Sequence, residues 1–112
     1  MSAPIQDNIP EFFRGASFEA VMRLPPNIEE NYFAEWYALS QIRREGKLTK
    51  DGMIGELDFK WIGPNEFLLS SNETDKWPLG MAEFDVLFSS KQGRRIRTKT
   101  LRVMIRDGVT KD

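Results

Sequence analysis

Between Ser17 and Arg106 the chain is a succession of short runs in which apolar and polar residues alternate, most of them closed by proline, glycine or asparagine. A period of two puts every second side chain on one face, so such runs form half-buried strands; a helix would repeat its apolar stripe every 3.6 residues. From Ser17 to Leu24, Phe18, Ala20, Met22 and Leu24 share one face against Glu19 and Arg23, and Pro25-Pro26-Asn27 ends the run because neither proline donates to a ladder. From Glu35 to Arg43, Trp36, Ala38, Ser40 and Ile42 alternate with Tyr37, Leu39, Gln41 and Arg43. Met53, Gly55, Leu57, Phe59 and Trp61 are in phase across Met53 to Ile62, opposite Glu56, Asp58 and Lys60. After the Gly63-Pro64-Asn65 turn, Glu66 to Ser70 carries Phe67 and Leu69. Met81 to Ser89 sets Ala82, Phe84, Val86 and Phe88 against Glu83 and Asp85; Ser89 to Gly93 then reads as a hairpin loop into a last strand, Arg95 to Arg106, with Leu101, Val103 and Ile105 in phase.

Two segments break the alternation. Ser71 is placed to cap a single helical turn over Asn72–Lys76, which Pro78 stops, and Ile28 to Ala34 has room for another turn. Residues 1 to 11, with Pro4 and Pro10, read as an extended arm, leaving residues 12 to 112 as one domain. Short strands at even spacing with hairpin-length loops predict an all-β fold, a sandwich of about seven antiparallel strands. A small closed barrel is the alternative.

Composition narrows the chemistry. A chain of 112 residues holds one core, large enough to fold without a disulfide or metal staple. The absence of Cys and His removes Cys–His and Ser–His nucleophiles, histidine metal ligands and thiolate zinc sites. The first eight residues have no basic start and no apolar run, and no stretch approaches the roughly 20 apolar residues of a membrane helix, so neither a secretory signal nor a membrane partner is expected. The net charge of −1 argues against bulk attraction to nucleic acid. It hides an asymmetry, because Lys91, Arg94, Arg95, Arg97, Lys99, Arg102 and Arg106 run without an acid among them, while Glu29, Glu30, Glu35, Glu73, Asp75, Glu83 and Asp85 lie elsewhere. Charges separated in this way steer a second copy, or another partner, into register.

Four segments carry a resemblance. They are Phe13-Arg14-Gly15; Trp36 through Arg43; Phe67 through Ser70, with Thr74 and Trp77-Pro78-Leu79-Gly80; and Phe84-Asp85-Val86 with Leu101-Arg102-Val103 and Val109-Thr110. In that order they resemble the immunoglobulin-like domains of tailed-phage virion proteins, such as those at the N-terminus of baseplate upper proteins and in related tail and fibre components. Ala16 and Asn31 to Ala34 depart from that pattern, which usually has an acid after Arg-Gly and a Gly-containing turn before the second strand. The resemblance implies an immunoglobulin-like β-sandwich that serves as a structural piece of the particle. It also implies a place in the virion, and in the host cytoplasm during assembly.

Glu56, Asp58, Glu83 and Asp85 fall on polar strand faces; a glycosidase needs two acids about 5 to 10 Å apart across a cleft, and ion pairing with neighbouring Lys and Arg is the simpler expectation. Trp36 and Trp61 share phase with core residues, and Trp77 at the Pro78 corner is expected to close one end of the core. The basic run has no interleaved aromatic residue for base stacking, and strict alternation would part Arg95, Arg97 and Lys99 from Arg94 and Arg102. Nucleic acid is therefore not the expected partner. The arm, with Ile5, Ile9, Phe12 and Phe13, has apolar groups suited to lying along a neighbour's sheet edge. The expectation is a non-enzymatic structural protein with no cofactor or metal, which forms a homo-oligomer and contacts other virion proteins. Its contact residues are Ile5, Ile9, Phe12 and Phe13, with Arg95, Arg97 and Lys99 as charge partners. The alternative is a small β-module that binds nucleic acid or carbohydrate.

Overall fold

The computed structural model describes residues 9–25, 30–46 and 52–110. Eight strands follow one another: β1 (Glu11–Arg14), β2 (Phe18–Arg23), β3 (Tyr37–Arg44), β4 (Met53–Trp61), β5 (Glu66–Ser71), β6 (Gly80–Ser89), β7 (Arg95–Arg97) and β8 (Leu101–Asp107). They pair in the path β1-β8-β6-β3-β4-β5-β2, with β7 beside β6. The fold is all-β, as the alternation predicts.

Strand β4 belongs to both layers. Its first half pairs with β3, Leu57 opposite Ser40 and Gly55 opposite Ile42; its second half pairs with β5, from Asp58 opposite Ser70 to Trp61 opposite Phe67. The ladder to β3 slips at Ile42/Arg43, where the partners pass from Gly55 to Met53 and leave Ile54 extra. An extra residue bends and twists its strand; three residues further on, between Leu57 and Asp58, β4 passes from one ladder to the other. The strands thus form one continuous mixed path that is nearly closed, with β2-β5-β4 as one layer and β3-β6-β7/β8 as the other, the arrangement of a sandwich. These are the B-E-D and C-F-G pairings of an immunoglobulin-like sandwich.

The core follows the alternation. Phe67, Leu69, Ile42, Val86 and Ala82 are fully buried, with Phe18, Phe84, Phe88, Val103 and Ile105 nearly so. Phe33 stacks on Phe88 with ring centres 4.2 Å apart, and Phe59 lies 4.8 Å from Phe67. Full burial of such side chains stabilises the fold by about 1.5–3 kcal/mol each. Trp36 and Trp61 are half-buried against this core.

Three details differ from the sequence reading. First, β1 pairs with β8 in parallel, Glu11 opposite Met104 and Phe12 opposite Ile105, so the sandwich is not wholly antiparallel. Nearly the whole chain separates the two strands, and no hairpin dictates their sense. The ladder starts at Glu11 because Pro10 has no N–H, although its carbonyl still accepts from the Met104 amide at 3.0 Å. Second, the expected helical turn at Asn72–Lys76 is a hydrogen-bonded turn, Trp77 N–H to Thr74 O at 3.1 Å. Ser71 does accept from the Glu73 amide at 3.2 Å, but Pro78 leaves no room for a second turn. A 3-10 turn is present instead at Glu30–Phe33. Third, the last strand is divided: Leu87 faces Arg97 while Phe84 faces Leu101, so three residues, Thr98 to Thr100, oppose two on β6.

The two end strands of the path, β1 and β2, are consecutive in the chain and meet at a corner. There Thr74, fully buried, accepts from the Gly15 amide at 2.8 Å through its hydroxyl, which donates to Ala16 O at 2.7 Å. Gly15 has φ of +93°, a conformation that glycine adopts without the steric cost of a Cβ. Arg14 donates to Trp77 O at 3.1 Å and pairs with Asp107 at 3.2 Å. Trp77, 3 % exposed, lies 5.5 Å from Phe12 and 5.4 Å from Phe18, ring centre to ring centre. It closes one end of the core, as expected at this corner.

Candidate protein-contact surfaces

The outer side of the β3-β6-β7/β8 sheet is built by the strand residues that the core does not take. Cross-strand partners point to the same face, so the register places Tyr37 beside Ser89 and Arg95, and Leu39 beside Leu87 and Arg97. Below them Gln41 lies between Glu56 and Asp85, and Glu83 lies between Arg43 and Arg102. Tyr37 is 68 % exposed and Leu39 47 %. A shallow concavity of ≈ 580 Å³ covers Leu39, Gln41, Asp85, Leu87 and Arg97 on this face.

The bulge at Thr98–Thr100 corrects the expected phasing of the basic run. An extra residue inverts the alternation beyond it, so Arg102, opposite Glu83, joins Arg95 and Arg97 on the outer face. Thr98 fixes the bulge: the Val86 amide donates to its hydroxyl at 3.0 Å, and the Thr98 amide donates to Val86 O at 3.0 Å. Much of this basic charge is met within the chain. Arg97 pairs with Asp85 at 3.5 Å, Arg102 with Glu45 at 3.1 Å and Arg106 with Glu11 at 2.9 Å. Arg95 and Lys99 are exposed, on and just after β7, and Arg94 lies over the Trp36 ring at 5.8 Å.

The acids are ordered rather than clustered. Glu56 and Asp85 are each one strand from Gln41, about 9.6 Å apart at ordinary strand spacing, and Asp85 is engaged by Arg97. Glu83 accepts from the Gly46 amide at 2.9 Å. Among the described residues no group of three His, Cys, Asp or Glu is placed to hold a metal ion, and no helix is long and apolar enough to cross a membrane.

Compared with protein-family models, curated proteins and solved structures, the chain matches none.

The apolar arm residues divide. Ile5 lies outside the described residues. Ile9 is half-buried next to Pro10. Phe12 turns inward and packs edge-on to Phe18 at 5.2 Å, whereas Phe13, on the opposite side of β1 and beside Arg106, is 48 % exposed. The end of the arm thus lies along this chain's own sheet edge, and of Phe12 and Phe13 only Phe13 is open to contact. Two further openings flank the sandwich. One, of ≈ 460 Å³, lies where β3 and β4 diverge and is lined by Trp36, Leu39, Glu56, Asp58, Phe59 and Trp61, among others. The other, of ≈ 550 Å³, lies between the end of β2 and β7, with Met22, Leu24, Tyr32 and Ile96 on its walls and Arg23, Arg97 and Lys99 at its rim.

Arg95, Arg97 and Lys99 were the contacts expected on this side of the molecule, and Tyr37 and Leu39 were not among them. Their signal was present: both occupy the non-core phase of a strand, where polar residues are the rule.

Proposed function

We propose that the chain is a non-enzymatic structural module of a tailed-phage particle, in its tail, baseplate, connector or capsid decoration, and that it acts through protein–protein contacts. The observation that carries this reading is the outer face of the β3-β6-β7/β8 sheet, where the exposed Tyr37 and Leu39 stand between Glu56 on one side and Arg95 and Arg97 on the other. Large apolar groups ringed by charge on a stiff sheet suit a partner's surface. The resemblance of Phe13-Arg14-Gly15, Trp36 to Arg43 and Trp77 to Gly80 to phage immunoglobulin-like domains supports the particle as its setting. The working mechanism is geometric: the sandwich holds one face and one edge at fixed angles for its neighbours.

The test is quantitative mass spectrometry of gradient-purified particles from cells that make the chain. A structural subunit is recovered in a fixed copy number per particle. A chain abundant in the lysate and missing from purified particles overturns the reading.

The opening between β3 and β4 favours a second reading. Trp36, Phe59 and Trp61 with Glu56 and Asp58 combine apolar rings with hydrogen-bond acceptors, a pairing that suits a sugar. Retention of the chain on immobilised oligosaccharides, lost in Trp61→Ala, separates this reading from the first.

A further inference from the structure

The outer face of the β3-β6-β7/β8 sheet is self-complementary, and we infer that it binds a second copy of this chain about a two-fold axis parallel to the strands. The inference rests on the reading above only in taking this face as a protein contact.

Across the face the order is acidic, apolar, basic. Glu56 sits on β4, opposite Gln41, with Asp58 two residues further at the rim of the neighbouring opening. Tyr37 and Leu39 follow on β3, then Leu87 on β6, then Arg95 and Arg97 on β7. A two-fold axis running between β3 and β6 keeps the level along the strands and exchanges left for right. Leu39 of one copy then meets Leu87 of the other, and the β4 margin of each copy, where Glu56 is level with Gln41, lies beside the β7 margin of its partner, where Arg97 is level with Leu39 and so one step of two residues, about 7 Å, along the strands. The same patch serves both subunits, as an isologous contact requires, and both charged margins become attractive at once. A translated, head-to-tail copy would satisfy only one margin.

The charges also set the strength. Four strands about 4.8 Å apart and some 20 Å of their length give roughly 400 Å² per copy, about 800 Å² in total, which is below the stable specific interfaces and in the range of weak, transient ones. A contact of this size is weak and concentration-dependent, and it weakens with salt because its charged margins remain near solvent.

Sedimentation equilibrium of the full chain tests this with two charge-reversed variants, Arg95→Glu/Arg97→Glu and Glu56→Lys/Asp58→Lys, each checked for its strand signal by circular dichroism. Wild type is expected to dimerise, and raising salt from about 0.05 to 0.5 M to weaken the dimer roughly tenfold or more. Each variant alone has like charges facing at both margins and is monomeric at the same concentration. Mixed in equal amounts they face acid to base at both margins, and a 1:1 heterodimer returns. A wild type that stays monomeric at ~500 µM overturns the proposal, as does either variant alone remaining a dimer or the mixture failing to pair. If a variant does not fold, Leu39→Glu replaces it as the breaking substitution, and its dimer at wild-type strength overturns the proposal equally. None of these outcomes alters the copy number of the chain in purified particles, so the two readings fail separately.

Discussion

The corner where β1 meets β2 and the outer face around Leu39 use similar residues for opposite ends. At the corner, Phe12, Phe18 and Trp77 pack ring against ring, while Thr74 and Arg14 tie together the backbone of two segments distant in the chain, 14–16 and 74–77. On the outer face, Tyr37 and Leu39 lie exposed between charged margins. Apolar side chains enclosed by satisfied polar groups contribute to folding, and the same kinds of side chain left open on a flat sheet contribute only when a second surface covers them. Substitutions at the corner should therefore change stability, and those on the face should change association.

The largest expected effect is at the corner. Trp77→Ala removes the ring that contacts both Phe12 and Phe18, and should lower the unfolding free energy in urea by about 3–5 kcal/mol. That is a large share of the total for a domain of this size, so the variant should lose its cooperative transition at only modestly raised temperature. A Trp77→Ala protein with wild-type stability would break the distinction between the two regions. Thr74→Val comes next. It keeps the shape and deletes the hydroxyl that joins Gly15 N–H to Ala16 O, leaving two backbone groups unpaired at a cost of about 2–3 kcal/mol. Thr74→Ser, which keeps the hydroxyl, should recover most of that loss.

Much of the fold was legible because its evidence is local. Phe67 and Leu69, or Ala82, Phe84, Val86 and Phe88, declare their inward face by spacing alone, and all are buried. The corner was only partly legible: the place of Trp77 beside Pro78 marks it as an end of the core, but Phe13-Arg14-Gly15, Thr74 and Trp77 to Gly80 are distant in the chain, and the hydrogen bonds that join them exist only once the strands have paired. The rest depends on pairing between distant strands. Nothing in Glu11–Arg14 says which edge it joins, and the bulge at Thr98–Thr100 contains no glycine to mark it. It arises from the one-residue mismatch between the pairings of β6 with β7 and with β8. The outer face was half visible: the phase of Tyr37 and Leu39 was read correctly, but their place between an acidic and a basic margin exists only once β4 and β7 lie on opposite sides of the β3-β6 pair.

The bulge offers an intermediate test, because it belongs to the core on one side and to the outer face on the other. Thr98→Val removes the acceptor of the Val86 amide, a group on a fully buried residue, at an expected cost of about 1–2 kcal/mol by thermal or urea unfolding. It should also loosen Arg97, and so weaken the salt dependence of self-association. A variant that loses stability and keeps its association unchanged would show that the outer face does not depend on the bulge.

The smallest expected effect on stability is the most informative about the comparison. Tyr37→Ser and Leu39→Ser truncate side chains that are 68 % and 47 % exposed, and neither leaves an internal cavity, so the unfolding free energy measured at low micromolar concentration should stay within about 0.5 kcal/mol of wild type. At high concentration the two proteins should diverge from wild type, because only there is the face covered. The transition midpoint of wild type should rise with protein concentration, as mass action requires when the native state alone associates, and that of Leu39→Ser should not. Equal concentration dependence in both would mean that Leu39 faces solvent in the assembled state too, and the apolar centre of the face would lose its role.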